Sequence, residues 1–414
     1  VQKFDAIVLG AGIVGVSTAV HLQKRGVRTA LVDRTHPGEE TSYGNAGIIE
    51  RNGFVPHGFP RSPSVLAAII FKQSIAANYD LGTVFKRAPW LWQLYKQGGK
   101  EQVQAYAHAA GALRKVALDE HRALARPSNA DRFYRSTGWL SLYRSLRSFN
   151  ADEAERHYAR IFGVEYQELS AGEINSVEPG IRAGKMLGVH WPETESVSNP
   201  GAVTNAFWRY FIQIGGQFFY GDGERLEAKR SHWRLTATRD VIDAKELVVA
   251  LGPWSGTWLA QMDEHYPMAV KRGYHQHFRP VSGGSLSRPV VDMDNGYALT
   301  PMDQGIRLTT GVEFAQRDAP PTPVQLIQAK RAASSFLTLG RALDEDPWMG
   351  CRPCMPDGLP VIGLSPRTEG LWFNFGHGHA GFTLGPATGR LLAELMTGQP
   401  CCVDPVPYSP LRFI

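Results

Sequence analysis

A two-domain α/β fold is what the sequence predicts, and three observations predict it. The chain opens on a short apolar strand that runs into a glycine-rich turn, Gly10-Ala-Gly-Ile-Val-Gly15, followed by a helical pattern and a second strand. A second pass of strand, glycine turn and helix occupies residues 371–396. Between them lie long stretches of helical and alternating patterns that a single βαβ-based domain does not need. The length of 414 residues also exceeds one compact core, and sizes of this kind usually divide into roughly two to three domains.

The first fifty residues are the most informative. Residues 4–9 form a β-rich run, a helix is expected through Lys24, Gly26 closes it, and residues 27–32 make the next strand, ending in Asp33. Each glycine has its own physical task. Gly10 permits the tight turn, Gly12 lets the backbone approach a pyrophosphate, and Gly15 lets the helix pack closely on the sheet. Ile13 and Val14 open the helix, where free N–H groups and the positive dipole end favour phosphate. Asp33 stands where a carboxylate accepts from a ribose diol, with Arg34 behind it. This order of elements marks dinucleotide binding but does not separate FAD from NAD. The segment Glu40-Thr-Ser-Tyr-Gly-Asn-Ala-Gly47 is too irregular for a helix. It reads equally as a loop approaching a cofactor or as a surface loop.

Composition narrows the class. Hydrophobic residues are 43% and charged residues 20%, with a formal net charge of +5, and the basic residues are scattered among acids. No nucleic-acid partner is expected from that distribution. The four cysteines, Cys351, Cys354, Cys401 and Cys402, are not spaced as a secreted disulfide framework, and Cys351-Arg-Pro-Cys354 reads as incidental rather than as a metal or redox motif. No metal is expected. The opening residues lack a charged segment followed by an apolar one, and the longest apolar run, 65–71, is far short of a bilayer span. A cytoplasmic protein is expected. Residues 65–94 nevertheless alternate apolar blocks with Lys72, Lys86 and Arg87, which suits either peripheral contact with a membrane or, the preferred reading, a cap helix packed on its own domain.

Further along, residues 65–125 carry helical periodicity, 136–143 alternate as a strand, and 151–161 form a charged helix. Another helix starts at Asn199-Pro200 and ends at Gly215-Gly216, with strands at 217–220, 233–238 and 247–251. The last leads to Gly252-Pro-Trp254, which is either a second crossing under a dinucleotide or a plain strand-to-helix turn. Residues 268–314 are β-rich and contain Tyr274 and Tyr297. The strand at 371–375 ends in Gly376-His-Gly-His-Ala-Gly381, and a helix is expected from about Leu384 to Met396. That turn suits a negatively charged cofactor edge. His377 and His379 within it are candidates for a base, although backbone-bonded histidines fit the turn as well.

Taken together, three segments carry a resemblance: Glu40–Gly47, Gly350-Cys-Arg-Pro-Cys-Met-Pro-Asp-Gly-Leu-Pro-Val-Ile-Gly363 and Gly376-His-Gly-His-Ala-Gly-Phe-Thr383. With the glycine-rich start, the whole chain resembles the D-amino-acid oxidase superfamily, nearest the bacterial D-amino-acid dehydrogenases, including members acting on D-hydroxyproline. The resemblance implies a Rossmann-type FAD-binding domain (1–55, 176–262 and 350–414) and a discontinuous α+β substrate-binding domain (56–175 and 263–349). It implies FAD contacts at Gly10, Gly12, Ile13, Val14, Gly15, Asp33, Arg34, Thr41, Ser42, Asn45, Ala46, Gly47, Glu224, Gly252, Trp254, Gly378, Gly381, Phe382 and Thr383. Tyr43-Gly44 stands where some relatives carry a flavin-linked histidine, which implies non-covalent FAD. Arg352 matches the arginine that holds a substrate carboxylate, with Tyr274, Tyr297 and His379 as further candidates around the substrate.

The implied reaction is oxidation of a free D-amino acid, cyclic ones such as D-proline or cis-4-hydroxy-D-proline included, by hydride transfer to flavin N5. Electrons would then pass to a quinone or another acceptor. A glycine- or sarcosine-type oxidase using O2 is the alternative within the class, and a non-catalytic flavin-bearing subunit is the alternative outside it. An oligomer is compatible with either.

Overall fold

The structure is a computed structural model that describes residues 1–414. Two sheets organise it. The first has eight strands, with the run Gln217–Tyr220, Thr29–Asp33, Gln2–Leu9 and Val241–Val249 all parallel. Leu371–Phe375 adds in parallel beside the upper half of Val241–Val249, and the hairpin from Leu226–Ala228 and Trp233–Thr236 covers the lower half. The opening strand is exposed at its start and fully buried over its last four residues, as expected of a parallel strand covered on both faces.

Two helices lie together on that sheet, Ile13–Lys24 and Gly381–Thr397, and glycines bring them into contact. A Cβ on Gly389 would stand 2.7 Å from the Thr18 nitrogen, and one on Gly15 would stand 1.8 Å from the Gly10 carbonyl oxygen. Neither position admits a side chain without moving backbone. The long helix Lys100–Ala125 packs on the outside of Gly381–Thr397. His121 ties it down, with ring nitrogens 2.9 Å from the Tyr134 hydroxyl and 2.9 Å from the Phe382 carbonyl.

The second sheet has eleven strands, mostly antiparallel, centred on Ala269–Pro280. Trp348–Cys354 pairs antiparallel with it, setting Arg352 opposite Lys271 and Gly350 opposite Gly273. From there the chain is stitched to the first sheet. Cys354 bridges His377, and the Gly378 N–H donates to the Pro353 carbonyl at 2.7 Å. The glycine turn at 376–381 is thereby held against the strand that carries Arg352.

The expected elements appear with shifted ends, and some break up. The 65–125 pattern resolves into Pro63–Ile70, Leu81–Lys86, Ala88–Lys96 and Lys100–Ala125. The charged helix runs over Glu153–Phe162, with a short helix, Leu146–Ala151, before it, and the C-terminal helix begins at Gly381 rather than near Leu384. Leu187–Trp191 and Trp348–Cys354, at the edges of the segments expected in the FAD-binding domain, pair in the eleven-stranded sheet. Alternation along a strand fixes which residues face inward but says nothing about which sheet supplies the partner.

Candidate active site

A cavity of about 600 Å³ runs between the two sheets. Its nucleotide end is built by the glycine-rich turn, whose conformation is dictated locally. Gly10 has φ +102°, and a Cβ there would stand 2.3 Å from the Ala250 carbonyl oxygen. Asp33 braces the turn, accepting from the Ala11 N–H at 2.6 Å and from the Thr35 N–H at 3.0 Å. Ser42 Oγ receives the Ile13 N–H at 2.9 Å, which links the 40–47 loop to the helix start. A Cβ on Gly12 would meet only that hydroxyl, at 3.2 Å, and otherwise open space.

Most of the residues singled out in the sequence line this one cavity. They are Gly10, Gly12, Ile13, Val14, Asp33, Arg34, Thr41, Ser42, Asn45, Ala46, Glu224, Gly252, Trp254, Gly378, Gly381, Phe382 and Thr383, together with Arg352, Tyr274, Tyr297 and His379. Gly15 and Gly47 do not reach it. Gly15 serves the helix-to-strand contact, and Gly47, at φ +72°, is a close approach to Val197 whose Cβ would stand 2.5 Å from that carbonyl. Arg34 lies over the Trp254 ring at 4.1 Å.

At the other end Arg352 stands out electrostatically. Its guanidinium lies across Gly273, where a Cβ would come within 2.6 Å of Nη2. It donates to the carbonyls of Gly311 (2.7 Å) and Thr310 (3.1 Å). No carboxylate of the chain pairs with it, and burial pulls its pKa down. Lys271 sits opposite on the neighbouring strand, buried, near the rings of Trp90 and Phe314 at 5.4 Å each, and burial depresses its pKa too. Arg352 lines this end of the cavity and Lys271 lies beside it without lining it, and neither is ion-paired with an acid.

The tyrosines behave differently from the sequence expectation. The Tyr274 hydroxyl donates to Glu313 at 2.5 Å and accepts from the Thr322 N–H at 2.9 Å and from Arg272 at 3.2 Å. Its hydrogen-bonding capacity is spent on the buried Arg272–Glu313 ion pair. Tyr297 is likewise turned to a structural pair, its hydroxyl 3.5 Å from Arg144, which is bound to Asp292. Both contribute wall; the Tyr274 phenol has no hydrogen bond to spare, whereas that of Tyr297 has only the long contact from Arg144. Among the histidines, His377 is buried and 3.0 Å from Thr388 Oγ1, whereas His379 faces the cavity and meets His57 edge-on at 4.2 Å between ring centroids. Burial holds His379 well below the usual imidazole value, which favours its neutral form.

Among the cavity residues that escaped the sequence reading are Trp348, Glu50 and His57. Trp348 fills the space over Gly44 and Gly350, where a Cβ would stand within 2.0 Å of its ring, and stacks on His275 at 4.8 Å. Glu50 reaches the cavity beside buried Arg114, 3.4 Å away, and burial pushes its carboxyl up. His57 lines the cavity too. Only the two glycines flanking Trp348, at 44 and 350, gave a signal in the sequence, and they are too far apart to be read as a pair.

Comparison with known proteins agrees with this geometry. The chain matches the DAO family, described as FAD dependent oxidoreductase, over residues 5–395, and belongs to it. It is 29% identical to a D-amino-acid oxidase of Bradyrhizobium diazoefficiens, over 98% of each chain. It is 27% identical to a D-amino acid dehydrogenase of Chromohalobacter salexigens, over 99% of each. Among solved structures, glycine oxidase from Geobacillus kaustophilus superposes with a TM-score of 0.75 at 21% identity, covering 100% of both chains. L-proline dehydrogenase from P. horikoshii superposes with a TM-score of 0.75 at 17% identity, covering 100% of this chain and 98% of that one. These two similarities establish the fold.

The protein is therefore an FAD-dependent oxidoreductase, and its residues fit the cofactor. Two helix starts, Gly12–Ile13 and Ala380–Gly381, face the same cavity; neither N-cap residue closes its helix with its own side chain, and at the first Ser42 takes only the Ile13 N–H. Uncapped N–H groups and dipole ends are what a pyrophosphate and an electron-rich ring edge require. Gly12 leaves the room that a phosphate needs.

Proposed function

We propose that the protein oxidises a free D-amino acid to the imino acid, with cyclic substrates such as D-proline or cis-4-hydroxy-D-proline included, and passes the electrons to a quinone or another acceptor. The observation that carries this reading is Arg352: a guanidinium deep in the cofactor cavity, fixed by two carbonyls and lacking an acid. Leaving a buried cation unpaired is costly, and a substrate carboxylate is the fitting partner because it takes the guanidinium fork bidentately. The names of the two full-length relatives support a D-amino acid.

FAD, when bound without a covalent link, supplies the two-electron acceptor. The chain does the rest. Arg352 holds the carboxylate and thereby sets the orientation of the Cα–H, and orientation is a large part of the rate in such reactions. Lys271 adds to the positive field that attracts the acid. Neutral His379 can accept a hydrogen bond from the amine without repelling it. The Trp348 ring and the Tyr274 wall offer a flat, mostly apolar surface suited to a pyrrolidine ring.

Anaerobic mixing with D-amino acids, L-amino acids, sarcosine and D-hydroxyproline tests the reading, with loss of flavin absorbance as the signal. Bleaching by the D-isomers is expected, and readmission of air distinguishes an O2-using oxidase from a dehydrogenase. Bleaching by sarcosine or glycine alone would replace the proposal with the secondary-amine reading. No bleaching by any of them would leave a flavin-bearing protein without this activity.

A further inference from the structure

The segment from 61 to 100 is unlike the rest of the surface. The helix Pro63–Ile70, with sequence PSVLAAII, buries none of its residues. Phe71 is 71% exposed, Phe85 77% and Trp92 58%, and Val65, Ile70, Leu81 and Tyr95 are exposed with them. Seven of the protein's twenty exposed large apolar side chains thus fall within thirty-one residues. The expectation of a cap helix packed on its own domain fits Ala88–Lys96, which buries Trp90 and Leu94, but not Pro63–Ile70, where Val65 and Ile70 are exposed and Leu66 and Ile69 only half-buried.

Contacts gather part of this lobe into two groups. Arg61 lies over the Tyr95 ring at 5.0 Å and donates to the Tyr95 carbonyl at 3.0 Å; Tyr95 stacks on Trp92 at 5.6 Å. The Tyr79 hydroxyl donates to the Ile70 carbonyl at 2.9 Å, and Lys72 stands 5.3 Å from the Tyr79 ring. The charge is one-sided as well. Residues 61–100 carry Arg61, Lys72, Lys86, Arg87, Lys96 and Lys100 against the single acid Asp80, a net +5. The whole chain is also +5, so the remaining residues balance to zero. Exposed apolar side chains concentrated in one segment mark an interaction site, and the lysines and arginines interspersed with them select an anionic bilayer surface as its partner. No helix is long and apolar enough to cross a membrane, so the lobe would lie on the surface.

We infer that the lobe at 61–100 docks the enzyme on an anionic lipid membrane, with Phe71, Phe85 and Trp92 entering the interface and the cations meeting lipid headgroups. The docked face adjoins the Arg352 end of the cavity. Ala76 packs against Gly296 and Gly311, of which the first lines the cavity and the second accepts from Arg352. This inference does not depend on which amino acid is oxidised.

Co-sedimentation of the FAD-loaded full-length protein with vesicles tests it. The protein should pellet with phosphatidylcholine–phosphatidylglycerol vesicles and remain in solution with phosphatidylcholine alone. Partitioning should fall as salt is raised. Phe71→Ser with Phe85→Ser, and separately the triple charge reversal Lys72→Glu, Lys86→Glu and Arg87→Glu, should each lower partitioning by at least about tenfold. Flavin content and melting temperature of these surface variants should match the parent. A parent protein that stays in solution with both vesicles would overturn the inference, and loss of a dimer in the Phe71/Phe85 variant would then assign the surface to a second copy. Pelleting that neither variant weakens would overturn it equally.

Discussion

At the scale of single residues, Arg352 and Tyr274 show how burial divides similar candidates. Both line the cavity, but Tyr274 has all its hydrogen bonds inside the protein, whereas Arg352 keeps donors to spare. Tyr274→Phe should therefore lower stability by about 1–3 kcal/mol, through the Thr322 N–H and Glu313 oxygen it leaves behind, and leave KM unchanged. Thermal unfolding with steady-state kinetics checks this; a large rise in KM at constant stability would return the phenol to the substrate. His379 gives a second prediction. Burial holds its folded pKa well below the free value, which favours the uncharged ring and moves its titration to the acid side of neutrality. The value of kcat/KM should rise with pH as the substrate ammonium loses its proton, with no inflection near neutrality. A neutral-range inflection that His379→Asn removes would mean that a protonated imidazole takes part.

At the scale of elements, the glycine-rich turn separates architecture from binding. Gly10→Ala puts a Cβ against the Ala250 carbonyl at a positive φ, so it should destabilise the apoprotein by at least about 1–3 kcal/mol. Gly12→Ala meets only a hydroxyl, so the apoprotein should melt near the parent while flavin affinity falls. Parallel melting curves and flavin titrations of the two variants distinguish these outcomes; equal loss of stability would show that Gly12 serves the fold. This element was legible because strand, turn and helix are local in sequence and each glycine has a steric cause. The Arg352 strand was legible as a segment but not as a member of its sheet, since its partner lies some eighty residues away and pairing across that distance leaves no local mark. Trp348 and Glu50 were invisible for the same reason: their places depend on Gly44 and Arg114, which only the folded chain brings near.

At the scale of the whole molecule, the parallel sheet presents two helix starts to the cavity and the antiparallel sheet presents Arg352, with Lys271 on the neighbouring strand. The bridge between Cys354 and His377 locks one against the other. The account predicts that the acid group of the substrate is what this arrangement recognises. The most direct measurement is the rate of anaerobic flavin bleaching by a D-amino acid and by its carboxamide, in the parent and in Arg352→Met. The parent should prefer the acid by about a hundredfold, corresponding to roughly 3 kcal/mol of carboxylate recognition, and the variant should lose that preference. Equal rates for acid and amide in the parent, or an unchanged preference in the variant, would contradict the account.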